Sequence, residues 1–352
     1  MAKEDQLNAE QQATLDKLAG EYADELANLG VRVSNLEKKV GNIYWSGDAR
    51  MRYQDNSTAA DTWDGRMRIN VKGQVNDTTT INGRLTYNMN FKGNDKNNAT
   101  GTATDDNNGV YMDVLNAKHQ FGDFAVTLGR YANSFGNEYS WRFGDSHDFD
   151  GAELSYAKNA FNAKVGFGQF DTNYGVVKNG PKDKDVIDDK DAFYAKAGYN
   201  FGFAKLGADY IKFQNNEVLK DELYGIDLYV PVGDFRVQGE YVKNTTTTEK
   251  YDDAWNVGLG YGKADWKKPG TWALDVFYNE IGKGTYFGGT GLGTDMLKNL
   301  NTTGEQIKFW NVGADVTLQK NVQLHAEYAF GADLEKAADP DDAWTVSLNY
   351  KF

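Results

Sequence analysis

The stretch A-W-T-V-S-L-N-Y-K-F, residues 343–352, ends the chain with strict alternation of apolar and polar side chains. Trp344, Tyr350 and Phe352 lie on the apolar side, and a period of two is that of a β-strand with one apolar face. Chain ends in water usually fray, whereas the last strand of a membrane barrel must pair with the first. The stretch therefore predicts either a closing barrel strand or an ordinary amphipathic strand at the end of a soluble β domain.

The composition of the 352-residue chain excludes several classes of protein. No Cys is present, which excludes a disulfide scaffold and a thiolate metal site. Mean hydropathy is −0.67, and no run approaches the roughly 18 apolar residues of a membrane helix. A helical membrane protein is thereby excluded, while a barrel with half-apolar strands is not. The net charge of −13 argues against nucleic acid as a partner, because phosphate contacts require clustered Lys and Arg.

Residues 5–41 carry a repeat of seven that predicts one long helix. Apolar residues occupy both seam positions of a coiled coil, at alternating spacings of four and three. They are Leu15, Ala19, Tyr22, Leu26, Leu29, Val33, Leu36 and Val40. A 3.6-residue stripe would drift around the helix over this length, and the seam does not. We therefore favour a coiled-coil stalk over residues 1–42, about 55 Å long, over a lone amphipathic helix packed on its own domain.

From residue 43 onward the period changes from seven to two, and sixteen alternating stretches follow. They are residues 43–54, 63–75, 79–92, 109–121, 124–132, 149–158, 160–170, 191–201, 203–213, 222–231, 233–243, 253–263, 271–280, 305–318, 321–330 and 342–352. Short turns follow the even-numbered stretches, and long polar loops follow the odd-numbered ones. This pattern is typical of an up-and-down outer-membrane barrel. We predict an all-β, sixteen-stranded antiparallel transmembrane β-barrel over residues 43–352, preceded by the α-helical stalk.

The number of strands decides which face of the predicted barrel points inward. Sixteen strands enclose a lumen too wide for apolar side chains to fill, so we expect water and polar residues inside and lipid against the apolar face. Aromatic residues near many strand ends fit the girdles expected at the two membrane interfaces.

The heptad helix, the motif W-S-G-D-A-R-M-R-Y at residues 45–53 and the barrel that ends in Phe together resemble the OmpM-type porins of diderm Firmicutes. The resemblance covers the whole chain and implies a trimeric outer-membrane channel for small hydrophilic solutes. In that family a coiled-coil stalk joins the barrel to an SLH domain that holds cell-wall peptidoglycan. No SLH domain precedes the helix in this sequence, so we expect contact with peptidoglycan only through that absent domain.

The resemblance also implies partners and a location. We expect a homotrimer in the bacterial outer membrane, in contact with lipid and lipopolysaccharide, with the stalk in the periplasm and the long loops at the cell surface. Trp344, Tyr350 and Phe352 resemble the insertion signal that the barrel-assembly machinery recognises. The seam residues alone favour a coiled coil of two helices, whereas three adjacent barrels require three helices. We expect the barrels to determine the number of chains, because their interface is larger.

The inward face of the first three strands carries a row of basic side chains. The predicted basic wall of the pore constriction consists of Arg50, Arg52, Arg66, Arg68 and Arg84. Five guanidinium groups on one wall repel one another unless acids or water face them. In general porins the third long loop folds into the barrel, and here that loop carries Glu138, Arg142 and Asp145, which we expect at the constriction. The alternative is that these arginines merely solvate a wet surface.

Acidic residues, mainly on later strands, are predicted to point into the same lumen. They are Glu153, Asp209, Asp227, Glu240, Asp275, Asp315 and Glu327. Acids that oppose a basic wall would set up a transverse field across the pore.

Nothing in the sequence favours catalysis or a cofactor. The histidines are His119, His147 and His325, and none of them has a Ser or an acid in a spacing specific for a hydrolytic site, so we expect no enzyme activity. The acidic stretches 183–191 and 339–342 lack EF-hand spacing, so Ca²⁺ at these outer loops is a weak alternative to a solvated surface. A structural tether or adhesin, with the barrel as its anchor, is the alternative to a channel.

Overall fold

The computed structural model describes residues 10–18, 20–23, 25, 29, 41–57, 60–91, 110–136, 148–171, 191–214, 221–287, 291–301 and 304–352. The chain divides into two compact units, Met1–Tyr44 and Trp45–Phe352. None of the helices in the described ranges has both the length and the apolar character needed to span a membrane.

In the N-terminal unit, residues 10–18 and 20–23 are helical, and residues 43 and 44 already belong to the first strand. The predicted seam residues Leu15, Tyr22 and Leu29 are exposed, by 39%, 62% and 52%. An exposed apolar row at intervals of seven is the surface that a coiled coil would cover, so the stalk stays a prediction. The other predicted seam residues lie outside the described residues, namely Ala19, Leu26, Val33, Leu36 and Val40.

The second unit is a closed barrel of sixteen strands in which each strand neighbours its sequence predecessor around the ring. The strands are β1 Ile43–Asp55, β2 Thr62–Asn76, β3 Thr79–Asn90, β4 Tyr111–Phe121, β5 Phe124–Ala132, β6 Asp148–Lys158, β7 Phe161–Asp171, β8 Asp191–Asn200, β9 Lys205–Phe213, β10 Glu222–Val232, β11 Phe235–Asn244, β12 Asp253–Gly262, β13 Trp272–Gly282, β14 Gln306–Gln319, β15 Val322–Leu334 and β16 Ala343–Lys351. The predicted closed antiparallel barrel and its sixteen strands are confirmed. The largest difference is in β15, which continues to Leu334 instead of ending near residue 330.

The last strand closes the ring on the first. β16 pairs with β1 in an antiparallel register that places Asp48 opposite Lys351. The Gly47 N–H donates to the Phe352 carbonyl at 2.7 Å, and the Phe352 N–H donates to the Gly47 carbonyl at 3.0 Å. A Cβ at Gly47 would collide with the Phe352 ring, so glycine is required for this close approach. The prediction of a closing terminal strand is therefore confirmed.

The strands are apolar on the outside and polar on the inside of the barrel. The apolar side chains Leu228 of β10 and Leu259 of β12 are 44% and 52% exposed. The polar residues Glu240 of β11 and Asn256 of β12 are only 4% and 3% exposed. A soluble barrel would instead bury its apolar face in the interior. The inversion fits a lipid environment and does not fit the alternative of a soluble β domain.

Exposed aromatic side chains lie near the strand ends, as predicted for interfacial girdles. They are Trp45, Trp63, Phe91, Phe124, Phe161, Phe235, Tyr261, Trp272, Trp344 and Phe352. Trp344 and Phe352 of the predicted insertion signal lie at opposite ends of β16, and Tyr350 is half-buried. Their role in insertion stays a prediction.

Part of the inner surface is apolar, against the expectation of a polar lumen. Buried apolar side chains line the long-loop halves of β5 to β16, and we call them the mouth cluster. Its strand residues are Tyr131, Phe149, Phe170, Ala192, Tyr194, Ile211, Phe213, Leu223, Val242, Ala254, Phe277, Ile281, Ile307, Phe309, Ala329, Leu334 and Ala343. The expectation is wrong at this end of the barrel, because segments folded into the lumen cover these side chains.

The main covering segment lies between β13 and β14, and we call its described residues 283–287 and 291–301 the inner loop. It contains two short 3₁₀ helices, Lys283–Thr285 and Met296–Asn301, which the alternation did not predict. Met296, Leu297 and Leu300 are 0%, 1% and 0% exposed. Burial of each such side chain contributes about 1.5–3 kcal/mol relative to exposure.

We expect Met67→Lys to impair insertion, because Met67 is 44% exposed on the lipid-facing surface. A lysine near the bilayer midplane destabilises a barrel by about 2–4 kcal/mol. The adjacent Arg66→Lys is the matched control, since it keeps a cation inside the lumen. Denaturant titration of refolding into lipid vesicles measures both variants, and equal losses of stability would contradict the assignment of inner and outer faces.

Candidate functional site

Two basic side chains of β1 share one carboxylate of β2. Arg52 Nε donates to Asp64 Oδ2 at 2.9 Å, and Arg50 Nη2 donates to Asp64 Oδ1 at 3.4 Å. Residues two apart on a strand point to the same face, which brings both guanidinium groups to the inner wall. One carboxylate of the neighbouring strand thus holds both guanidinium groups on the inner wall.

In a matching arrangement, two arginines of β2 contact one carboxylate of β1. Arg68 Nε donates to both oxygens of Asp48 at 2.9 and 3.0 Å. Arg66 Nη2 lies 3.9 Å from Asp48 Oδ1. Asp48 and Asp64 thus each hold two guanidinium groups, and these carboxylates offset repulsion within the basic wall.

Arg84 is held in a separate ion pair. Its Nε donates to Asp113 Oδ1 at 2.8 Å, and Thr86 Oγ1 donates to the second oxygen of that carboxylate at 2.9 Å. The Arg84 and Asp113 side chains are only 13% and 9% exposed. This part of the predicted basic wall is therefore a balanced pair within the wall.

A cavity of about 650 Å³ lies inside the barrel beside the basic wall. Arg50, Arg52 and Arg66 contribute to its lining, and Arg68 and Arg84 do not. The remaining lining comes from β10 to β16, from the short turn after β12 and from Gly291 and Gly293 of the inner loop. These residues include Tyr229, Arg236, Gln238, Lys263, Trp266, Asp275, Asp315, Gln323, His325, Glu327, Thr345, Ser347 and Asn349.

The predicted acids that line this cavity are engaged by other groups. Asp275 Oδ1 accepts a hydrogen bond from Arg236 Nε at 3.0 Å. His325 Nδ1 lies 3.0 Å from Asp315 Oδ1, and its Nε2 lies 3.7 Å from Glu327 Oε2. His325 therefore bridges two carboxylates, an arrangement that suits a structural role.

The third long loop enters the barrel at its first residues. Phe135 packs edge to face on Tyr194 of β8 with ring centroids 5.8 Å apart, and Lys196 Nζ lies 3.8 Å from the centre of the Phe135 ring. A Cβ at Gly136 would collide with the Glu240 carboxylate of β11. The loop thus leaves β5 and reaches across to β11. The predicted constriction residues of this loop lie outside the described residues, namely Glu138, Arg142 and Asp145.

One predicted acidic stretch of the outer loops lies largely outside the described residues, at 183–190. In the other, Asp339 Oδ1 accepts from the Leu334 N–H at 2.9 Å, and Asp342 Oδ1 accepts from the Gly331 N–H at 3.3 Å. These carboxylates fix the turn between β15 and β16. Within the described ranges, no group of three or more His, Asp or Glu side chains is placed to hold a metal ion.

The alternation of the strands did not predict that the inner loop contributes to the lining of the cavity. A signal for it is present in the sequence, because Leu292, Met296, Leu297 and Leu300 recur at helical spacing inside a connection that is otherwise polar. Such a pattern indicates a turn of helix that needs an apolar surface to cover. The surface itself is assembled from many strands and is not visible in any one stretch.

Comparison with known proteins shows which barrels this fold resembles. A family model described as Gram-negative porin matches residues 113–264. A loop-deletion mutant of OmpT, an outer membrane protein of Vibrio cholerae, has a TM-score of 0.56 and 15% identity, over 88% of this chain and 99% of that chain. OmpT in its trimer form has a TM-score of 0.55 and 15% identity, over 88% of this chain and 99% of that chain.

A porin of a second organism has the same fold. A triple mutant of the Rhodopseudomonas blastica porin gives a TM-score of 0.54 at 12% identity, over 88% of this chain and 100% of that chain. No curated protein sequence matches the chain. The structure is therefore a porin-like closed barrel of sixteen strands.

We expect Arg52→Gln to shift the reversal potential of the barrel towards cations, because it removes a positive charge from the cavity lining. The control Arg84→Gln also removes one positive charge, but from a pair outside that lining. The difference should be largest at low salt, since screening lengths fall from about 10 Å at 0.1 M to about 3 Å at 1 M. Equal shifts for the two variants in planar bilayers would show that the cavity is not the permeation path.

Proposed function

We propose that this protein is a passive diffusion channel for small hydrophilic solutes in the bacterial outer membrane, and that it is not an enzyme. One observation carries the proposal. The ring is closed and apolar on the outside, and it encloses a cavity lined by charged side chains. A barrel of this kind presents apolar side chains to lipid on its outer face and polar side chains to water on its inner face. The family match and the shared porin fold support the same function.

The second candidate is a structural tether or adhesin whose barrel serves as an anchor. The mouth cluster favours it, because an apolar core inside the long-loop end reduces the open lumen. The charged cavity favours the channel, since an anchor has no need of paired arginines around an open space. We therefore place the channel first.

We further propose that three barrels associate in the membrane and that residues 1–42 form a coiled-coil stalk in the periplasm. The exposure of Leu15, Tyr22 and Leu29 supports a partner for the helix. OmpT, which has the same fold, has a trimer form. In the OmpM-type arrangement an SLH domain on the stalk binds peptidoglycan, the long loops face the cell surface, and lipopolysaccharide surrounds the barrel.

The function is tested by recording the purified chain in planar bilayers. A channel gives stepwise increases of conductance that scale with salt concentration, because ions cross a water-filled lumen. A tether inserts without conducting. Folded protein that inserts, as judged by heat-modifiable migration, and gives no conductance would overturn the channel in favour of the tether.

Deletion of residues 1–41 should leave both the trimer and the single-channel conductance unchanged, because the ring closes through β1 and β16 without those residues. Native mass measurement in detergent and bilayer recording check the two expectations on the full chain and the shortened chain. Monomers or dimers for the full chain would contradict the trimer. If the trimer is lost when residues 1–41 are deleted, the stalk is needed for assembly.

A further inference from the structure

The inner loop contacts opposite walls of the barrel. The Phe287 ring stacks on Phe213 at the end of β9, with centroids 5.5 Å apart and an interplanar angle of 29°. The Ser57 N–H, just beyond β1, donates to Asp295 Oδ1 at 2.7 Å. β1 and β9 are eight strands apart in a ring of sixteen, so these two contacts lie across the lumen from each other.

The loop is held in the lumen by apolar and polar contacts together. Met296 and Leu297 are buried against the mouth cluster and would lose that burial if the loop left the lumen. Gln54 Nε2 of β1 donates to the Gly293 carbonyl at 2.6 Å. Asn299 Nδ2 donates to Ser57 Oγ at 3.0 Å. Apolar contacts and hydrogen bonds thus hold the loop inside the lumen.

The same loop covers one acid of the cavity. The Gly293 N–H donates to both carboxylate oxygens of Glu327 at 2.9 Å. The Glu327 side chain is only 1% exposed, whereas the side chains of Arg50 and Arg52 are 21% and 23% exposed. A charge that is covered and hydrogen-bonded acts on a passing ion less than one that faces water. The loop therefore changes the balance of charge along the cavity.

We propose that the inner loop determines the selectivity of the channel. It narrows the long-loop end of the lumen, and it withdraws Glu327 from the permeation path. The cavity lining then presents more cationic side chains than acids, so the class of solute favoured is small anions. The cations of the lining are Arg50, Arg52, Arg66, Arg236 and Lys263, and the acids besides Glu327 are Asp275 and Asp315. The inference rests on the proposed channel function and deepens it by naming the solute class.

The first test replaces residues 284–304 by a short glycine-containing turn. Gly282 and Gln306 are already paired, and the Lys283 N–H donates to the Glu305 carbonyl at 2.9 Å, so a hairpin turn can join the two strands. Reversal potentials in a KCl gradient at low salt report selectivity. We expect the full chain to prefer chloride, and the shortened chain to conduct more and to shift towards potassium. Unchanged conductance and reversal potential would overturn the proposal.

The second test combines Glu327→Gln with the presence or absence of the loop. Glutamine keeps an oxygen that accepts from the Gly293 N–H but removes the charge. We expect Glu327→Gln to shift the reversal potential towards chloride much more in the shortened chain than in the full chain. Arg52→Gln is the matched control and should shift it towards potassium in both. Equal effects of Glu327→Gln in the two chains would contradict the covering role.

Failure of this inference is distinguishable from failure of the channel function. A full chain that does not conduct refutes the channel, and if only the shortened chain conducts, the loop is a plug and does not set selectivity. Should the shortened chain not fold, Gly293→Pro displaces the loop instead. It removes the N–H, and a Cβ at this position lies 2.9 Å from Thr345 Cγ2 and 3.0 Å from Glu327 Oε2. We expect the same direction of shift, and no shift in the folded variant would contradict the proposal.

Discussion

A strand in lipid must have a hydrogen-bonded neighbour on each side, because unpaired backbone N–H and C=O groups there cost several kcal/mol each. The pairing of β1 with β16 meets this constraint by turning sixteen strands into a ring without edges. Its last link is the pair of backbone hydrogen bonds between Gly47 and Phe352. Once the ring is closed, the only requirement on the outer side chains is that they are apolar. The inner side chains then determine the properties of the lumen.

The inner wall combines two kinds of surface. Near β1 and β2 the wall carries ion pairs in which Asp48 and Asp64 each hold two arginines, with side chains 17–25% exposed. Under the proposed channel function, these partly exposed charges would act on passing solutes. At the long-loop ends of later strands the wall is apolar and is covered by the inner loop. Charge and constriction thus come from different parts of the sequence.

The fold could be predicted from sequence almost completely, because alternation and loop length are local signals. Each of the sixteen strands appears as its own run of period two, and the closing strand is recognisable from Trp344 to Phe352. The row of arginines on β1 and β2 could be predicted from the same alternation. Its partners Asp48 and Asp64 lie in the same alternating runs, two and four residues from the arginines of β1 or β2, so they could also have been found.

The interior of the mouth could not be predicted in the same way. Phe213, Phe277 and Phe309 lie on three different strands, and they form one surface only when the ring closes. The expectation of a polar lumen followed from barrel width alone and took no account of a loop that returns to fill it. The heptad seam is a different case. A coiled coil would cover its exposed residues with other chains, so a single chain leaves the stalk a prediction.

The central claim is that this ring encloses a path for small solutes that is limited by the inner loop and biased by the basic wall. Swelling of liposomes that contain the protein tests it most directly, using neutral, anionic and cationic solutes matched in size. The account predicts swelling that slows steeply as solute size increases and is fastest for the anion at each size. Swelling no faster than that of protein-free liposomes, or the fastest entry by the cation, would contradict it.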